Sequence, residues 1–205
     1  GRRTARSAPT IATIRATTFQ PPMSQIALLL PTGNILLDLD AGSKSRLFDA
    51  VGALFEANHG LSRQVVVNSL QAREKLGSTG LGQGIAIPHG RIRGLREAQG
   101  AFIRLKSPIP FDAPDGKPVA QVFILLVPEQ ATEQHLQLLS ELAQMFSEAR
   151  FRDSLAGPTD AAGLRALFER WLEWAPRGVA ACSSRPRSSS TTSQGRRTRS
   201  LRHLP

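Results

Sequence analysis

Cysteine is almost missing from this sequence. Cys182 is the only one in 205 residues, which leaves no disulfide framework and no cysteine-based metal site. Long apolar runs are missing too. The stretches Ile26 to Leu30 and Val122 to Val127 fall far short of the roughly 18 to 20 residues that a membrane-crossing helix needs, so the expectation is a soluble, cytoplasmic protein. Acids are absent from both ends. All 16 lie between Asp38 and Glu173, where residues 23–174 set 15 Lys and Arg against them. The formal charge of +10 therefore comes from four arginines in residues 1–22 and seven in residues 175–205. Such basicity first suggests a nucleic-acid binder. Yet the central region is nearly neutral, and neither tail interleaves an aromatic with its arginines, so only weak, salt-sensitive nucleic-acid binding is expected.

Composition divides the chain in three. Residues 1–22 form a basic leader, expected to be disordered. It reads either as a targeting peptide or, preferably, as sequence preceding a natural start at Met23. Residues 23–174 hold enough apolar side chains for one domain. Residues 175–205, rich in Arg and Ser, cannot offset the entropy cost of ordering their backbone and are expected to be disordered.

Within the domain, helix and strand periods alternate. Ile35 to Asp40 reads as a strand. Ser43 then caps a helix that buries Leu47, Val51, Leu54 and Phe55 and closes at Gly60. A second helix starts at Ser62, with Leu61 stapled to Val66, runs toward Lys75 and stops at Gly77. Ile85 to Ile87 form a short strand ended by Pro88. Ala101 to Leu105 and Val119 to Val127 are strands, and the second is so uniformly apolar that it should be central and covered on both faces. Thr132 caps a helix through about Ala149, and a last helix spans roughly Asp160 to Trp174. The pattern predicts an α/β fold with a mixed central β-sheet flanked by helices on both faces.

The chemistry concentrates in REKLGSTGLGQGIAIPHGR, Arg73 to Arg91. Five glycines surround two hydroxyls and one histidine, and exposed N–H groups in such a turn suit an anion. Neither GxxxxGK[ST] nor GxGxxG is matched, which argues against a nucleotide, and no GxSxG elbow supports a serine hydrolase. His89 stands between a strand-ending Pro88 and Gly90, at a strand terminus where the chain leaves the sheet. Neutral imidazole is nucleophilic near pH 7 and could take a phosphoryl group directly, although a lone Pro-His-Gly more often only completes a turn. Arg73 could clamp two phosphoryl oxygens or be an exposed helix charge. Ser78 and Thr79 could donate hydroxyl hydrogen bonds to them or bond their own backbone. His135 shares a helix face with Leu139, Leu142 and Phe146 and points inward, either as a core histidine satisfied by a carbonyl or toward the phosphoryl site. His59 reads as a helix-end residue and His203 lies in the tail, so a multi-histidine metal site is not expected.

Together with PIPFDAPDGKPV and FILLVPEQATEQHLQLLSELA, this stretch resembles the enzyme IIA family of mannitol, fructose and nitrogen type in the bacterial phosphotransferase system, over about Gln25 to Trp171. The loop wording favours the nitrogen-regulatory type. By motif position, the resemblance makes His89 the phosphorylated residue, His135 the second active-site histidine and Arg73 the active-site arginine. It ranks Thr79 above Ser78 as a phosphate-binding hydroxyl. It implies transfer without metal, nucleotide or other cofactor, from a phosphorylated histidine carrier protein (NPr- or HPr-like). It also implies a nitrogen- or potassium-type regulatory role toward targets such as kinases or ion transporters. A sugar-specific component that passes its phosphoryl group to a transporter domain is the alternative. The Arg-rich tails have no counterpart in the family.

Overall fold

The computed structural model describes residues 24–130 and 133–171. After a short helix α1 (Gln25–Leu28) and a 3-10 turn (Thr32–Asn34) come β1 (Ile35–Leu39), α2 (Lys44–His59) and α3 (Arg63–Lys75). Four strands follow: β2 (Gly80–Gly82), β3 (Ile85–Ala86), β4 (His89–Ile92) and the long β5 (Gln99–Ile109). Then come β6 (Val119–Pro128), α4 (Glu133–Ser147), α5 (Ala149–Ser154) and α6 (Ala161–Glu169). The sheet order is β1, β5, β6, β3, β2, and β4 also pairs with β6. β6 runs antiparallel to β5 and parallel to β3 and β4, which makes the sheet mixed.

The apolar run of β6 explains its central place. Val122, Ile124 and Leu126 join the cluster that holds Phe48, Val51 and Phe55 of α2 and Val66 and Leu70 of α3. Phe123, on the opposite face, packs against Phe146 of α4 and Phe168 of α6. All of Val122 to Val127 are buried, at about 1.5–3 kcal/mol each for a fully buried large apolar side chain. Helices thus cover both faces, as expected.

Local signals set most boundaries. The Ser43 hydroxyl accepts from the Arg46 N–H at the start of α2, and Gly60 closes that helix with φ 66°, where glycine carries no Cβ penalty. Ser62 takes the N-cap place of α3 without using its side chain; the Arg63 N–H donates to Glu56 instead. The last helix has Asp160 as its N-cap, which accepts from the Gly163 N–H, and runs from Ala161 through Glu169. Met23, Thr132, Trp174 and both tails, His203 included, lie outside the described residues.

One difference bears on the site. At Pro88 the chain does not leave the sheet. Ile85 and Ala86 pair with Gln121 and Val122, and beyond the proline His89 and Gly90 pair with Leu125 and Leu126 in the same register. β3 and β4 are one strand interrupted because proline has no N–H to donate to the ladder. Its carbonyl still accepts from the Leu125 N–H at 3.0 Å. His89 therefore opens a new strand segment rather than ending one.

Candidate functional site

Pleating sends alternate residues of β4 to opposite faces. Ile92 joins the α2/α3 cluster, and Gly90 lies so close to α3 that a Cβ there would run into the Ser69 hydroxyl. His89 and Arg91 face the other way. The ring of His89 meets His135, from the first turn of α4, edge-on with centroids 5.5 Å apart. Among the described residues β4 pairs with β6 alone, and Arg73, in the last turn of α3, reaches the same ring. Helices on opposite faces of the sheet thereby supply one site.

The bonds to His89 define its tautomer. Arg73 Nε donates to His89 Nε2 at 3.0 Å, and a guanidinium can only donate. His89 Nδ1 lies 2.9 Å from the Ile87 carbonyl oxygen, which can only accept. Nδ1 therefore carries the proton, and Nε2 presents its lone pair. Burial is the first cause that holds the His89 pKa below the ordinary histidine value; the Ile87 carbonyl opposes it, and the Arg73 charge adds to it. Burial likewise depresses His135, followed by the charges of His89, Arg91 and Arg73. Both rings are thus held toward the neutral form. His135 is buried and its Nε2 has no hydrogen-bond partner among the described residues, an orphan polar atom of the sort that costs free energy unless something completes it.

Three N–H groups of the glycine-rich loop are engaged within the protein. The Thr79 N–H donates to Glu74, the Gly80 N–H to the Ser78 hydroxyl and the Gln83 N–H to Asp115. Its glycines serve close packing and backbone geometry. A Cβ on Gly80 would come within 2.9 Å of the Ala113 Cβ, and Gly82 adopts φ 88°. The two candidate hydroxyls are committed as well. Thr79 Oγ1 donates to Glu74 at 2.6 Å, and Ser78 Oγ donates to the Phe111 carbonyl. Both residues line a cavity of about 260 Å³ beside Arg73 and His89, with their hydroxyl protons already engaged.

Two further residues escaped the sequence reading. Glu74 gathers the Thr79 N–H and hydroxyl and pairs with Lys44 at 3.2 Å, so it anchors the loop to α3 and α2. Nothing in its spacing reveals this, because the contact depends on how the loop folds back. Arg91 lines a larger concavity of about 670 Å³ together with Arg73, His89 and His135. Its signal was the two-residue step from His89, readable once a strand is assigned there. His59, the last residue of α2, bonds the buried Asn34 at 2.9 Å. Among the described residues no group of three or more His, Cys, Asp or Glu could hold a metal ion, and no helix is long and apolar enough to cross a membrane.

The family described as phosphoenolpyruvate-dependent sugar phosphotransferase system, EIIA 2, matches residues 28–171. The chain belongs to this family. Its relatives include the nitrogen regulatory protein of Pseudomonas aeruginosa, 43% identical over 139 residues that cover 67% of this chain and 90% of that protein. The crystal structure of nitrogen regulatory protein IIA-Ntr from Neisseria meningitidis is 54% identical, with a TM-score of 0.67, and the match covers 71% of this chain and 99% of that one. Mannitol IIA of Escherichia coli shares the fold at 20% identity and a TM-score of 0.58, over 67% of this chain and 97% of that one. This EIIA-type chain is thus similar to nitrogen regulatory proteins, in a family of phosphotransfer components.

Proposed function

We propose that this EIIA-type chain is a phosphohistidine carrier of the nitrogen-regulatory kind, built on residues 23–174, with His89 as the phosphorylated residue. The observation that carries the reading is the pair of bonds that leaves the proton on Nδ1 and the lone pair on Nε2. Nε2 attacks the phosphorus of a phosphorylated histidine carrier protein; the donor's P–N bond breaks and its electron pair returns to the donor ring. The proton stays on Nδ1 and is donated in a hydrogen bond to the Ile87 carbonyl, which stabilises the ring as it gains positive charge.

Arg73 has two tasks in this reading. Its Nε–H covers the attacking lone pair and must swing away, and the freed guanidinium can then turn to the phosphoryl oxygens, where its fork suits two of them. His135 completes the pocket by offering its unpartnered Nε2 to the same oxygens. Thr79 and Ser78 can contribute only by giving up their present acceptors. Because donor and acceptor are both imidazoles, alignment and charge stabilisation are the whole task. Exposed Leu76, Leu81 and Leu136 supply apolar surface for docking the donor. The phosphorylation state then governs binding to regulated targets.

The test is incubation with a phosphoenolpyruvate-driven relay containing either a nitrogen-branch or a sugar-branch carrier protein. An acid-labile adduct is expected in the wild type, faster from the nitrogen-branch donor, and absent in His89→Ala. An unchanged adduct in the variant would overturn the assignment of His89, and a clear preference for the sugar-branch donor would overturn the regulatory type.

A further inference from the structure

The near-neutral charge of residues 23–174 hides a concentration of arginine beside the site. Arg91, Arg93 and Arg96 are exposed, and none has an ion pair among the described residues. The nearby acids Glu97, Glu129 and Glu133 are also exposed and pair with none of them. Lys44, Arg63, Arg104 and Arg165 each meet a carboxylate, whereas the exposed cations elsewhere with no ion pair among the described residues, Arg46, Lys75, Lys106, Lys117 and Arg150, lie apart from one another in the sequence.

The fold presents these arginines in a defined way. Ile92, the last residue of β4, is buried, so His89 and Arg91 share the other face of the strand, about 7 Å apart. Arg93 and Gly94, the latter at φ 82°, form a tight turn closed by the Leu95 N–H on the Ile92 carbonyl, and Leu95 packs against the core. The ridge is therefore held by buried Ile92 and partly buried Leu95. Exposed Leu76 lines the same concavity as its His89 end.

From this placement we infer that Arg91, Arg93 and Arg96 form a docking ridge for an acidic surface on a protein partner that binds the unphosphorylated chain. Arginine beside exposed leucine is the mixture that protein interfaces favour, whereas a nucleic-acid groove would add stacking aromatics, which this ridge lacks. The inference rests on the phosphocarrier reading for its switch. A phosphoryl group on His89 brings roughly two negative charges to one end of the ridge, where it repels an acidic partner and competes with it for Arg91.

The ridge can be tested in the full chain by following backbone amide signals of residues 91–96 during titration with a peptide of about ten glutamates. Residue-resolved signals separate the ridge from the arginines at both ends of the chain. Saturable shifts at 91–96 are expected, with affinity lowered about tenfold or more in R93E/R96E and lowered by at least about threefold after phosphorylation of His89. Unchanged thermal melting of R93E/R96E would show that it is folded. Shifts confined to residues outside 91–96, equal affinity in the variant, or tighter ridge binding by single-stranded DNA of equal charge would each overturn the ridge. If no phosphoryl adduct forms at all, the phosphocarrier reading and the switch fall together, while the contrast between wild type and R93E/R96E still decides the ridge itself.

Discussion

Two faces of one short strand contrast sharply. On the α3 face of β4, Gly90 is pressed against Ser69, whose hydroxyl also bonds the Arg91 carbonyl at 2.9 Å, and Ile92 is sealed in the core. On the other face, His89 and Arg91 open onto concavities, the larger also lined by Arg73 and other α3 residues, and the neighbouring His135 keeps a nitrogen with no partner among the described residues. The first face spends its chemistry on packing. The second leaves polar capacity unsatisfied, which a fold tolerates only at some cost and which a charged group can later complete. The tight face holds the strand in register so that the open face can aim a ring.

This contrast can be broken from either side. The largest effect is expected at Arg73, which bridges the faces: Arg73→Ala should lower the rate of phosphoryl acceptance about 100-fold, or near 2.7 kcal/mol, if its guanidinium stabilises the moving group. Quench-flow with a phosphorylated carrier measures it, and a rate within a factor of two of wild type would reduce Arg73 to a packing residue. Gly90→Ala strikes the tight face. The added methyl meets the Ser69 hydroxyl and side chain, so a stability loss of about 1–3 kcal/mol by denaturant unfolding is expected from overpacking. An unshifted midpoint would show that α3 yields more freely than its packing suggests.

The smallest effect concerns pH and sharpens the reading of the open face. Burial lowers the pKa of His89 and of His135, so the nucleophilic neutral form persists below the ordinary histidine range. Phosphoryl acceptance should stay level from about pH 8 to 6.5 and fall only at lower pH. Stability follows the same sign. Unfolded histidines bind protons near pH 6.5 and the folded ones at lower pH, so the folded state keeps its full advantage above that range and loses it as pH falls through the folded values. A rate that declines already between pH 8 and 7 would contradict the neutral, buried ring.

Much of the fold was legible because its signals are local. The continuous apolar run of β6 announced a central strand, Ser43 and Gly60 bracketed α2, and the helical spacing of His135 with Leu142 and Phe146 placed that ring inward. Signals that depend on partners were not legible. The hydroxyl of Ser62 looked like a cap but is replaced by Glu56 from α2, and β4 was hidden because Pro88 looked like an end when it is only a missing donor in a continuing ladder. Composition revealed the flexibility of the glycine-rich loop but not that the Thr79, Gly80 and Gln83 N–H groups bond Glu74, Ser78 and Asp115.

From residue order alone came the candidates, His89, His135, Arg73, Thr79 and Ser78, since their types and motif positions do not depend on coordinates. The tertiary structure decided how they stand to one another. It placed Arg73 and His135, carried on opposite faces of the sheet, at one imidazole, because among the described residues β4 has no strand on its outer side. It set the proton on Nδ1, because an arginine can only donate and a carbonyl can only accept. It also turned Thr79 and Ser78 toward Glu74 and Phe111, contacts made by chain folding over distances that no local pattern encodes.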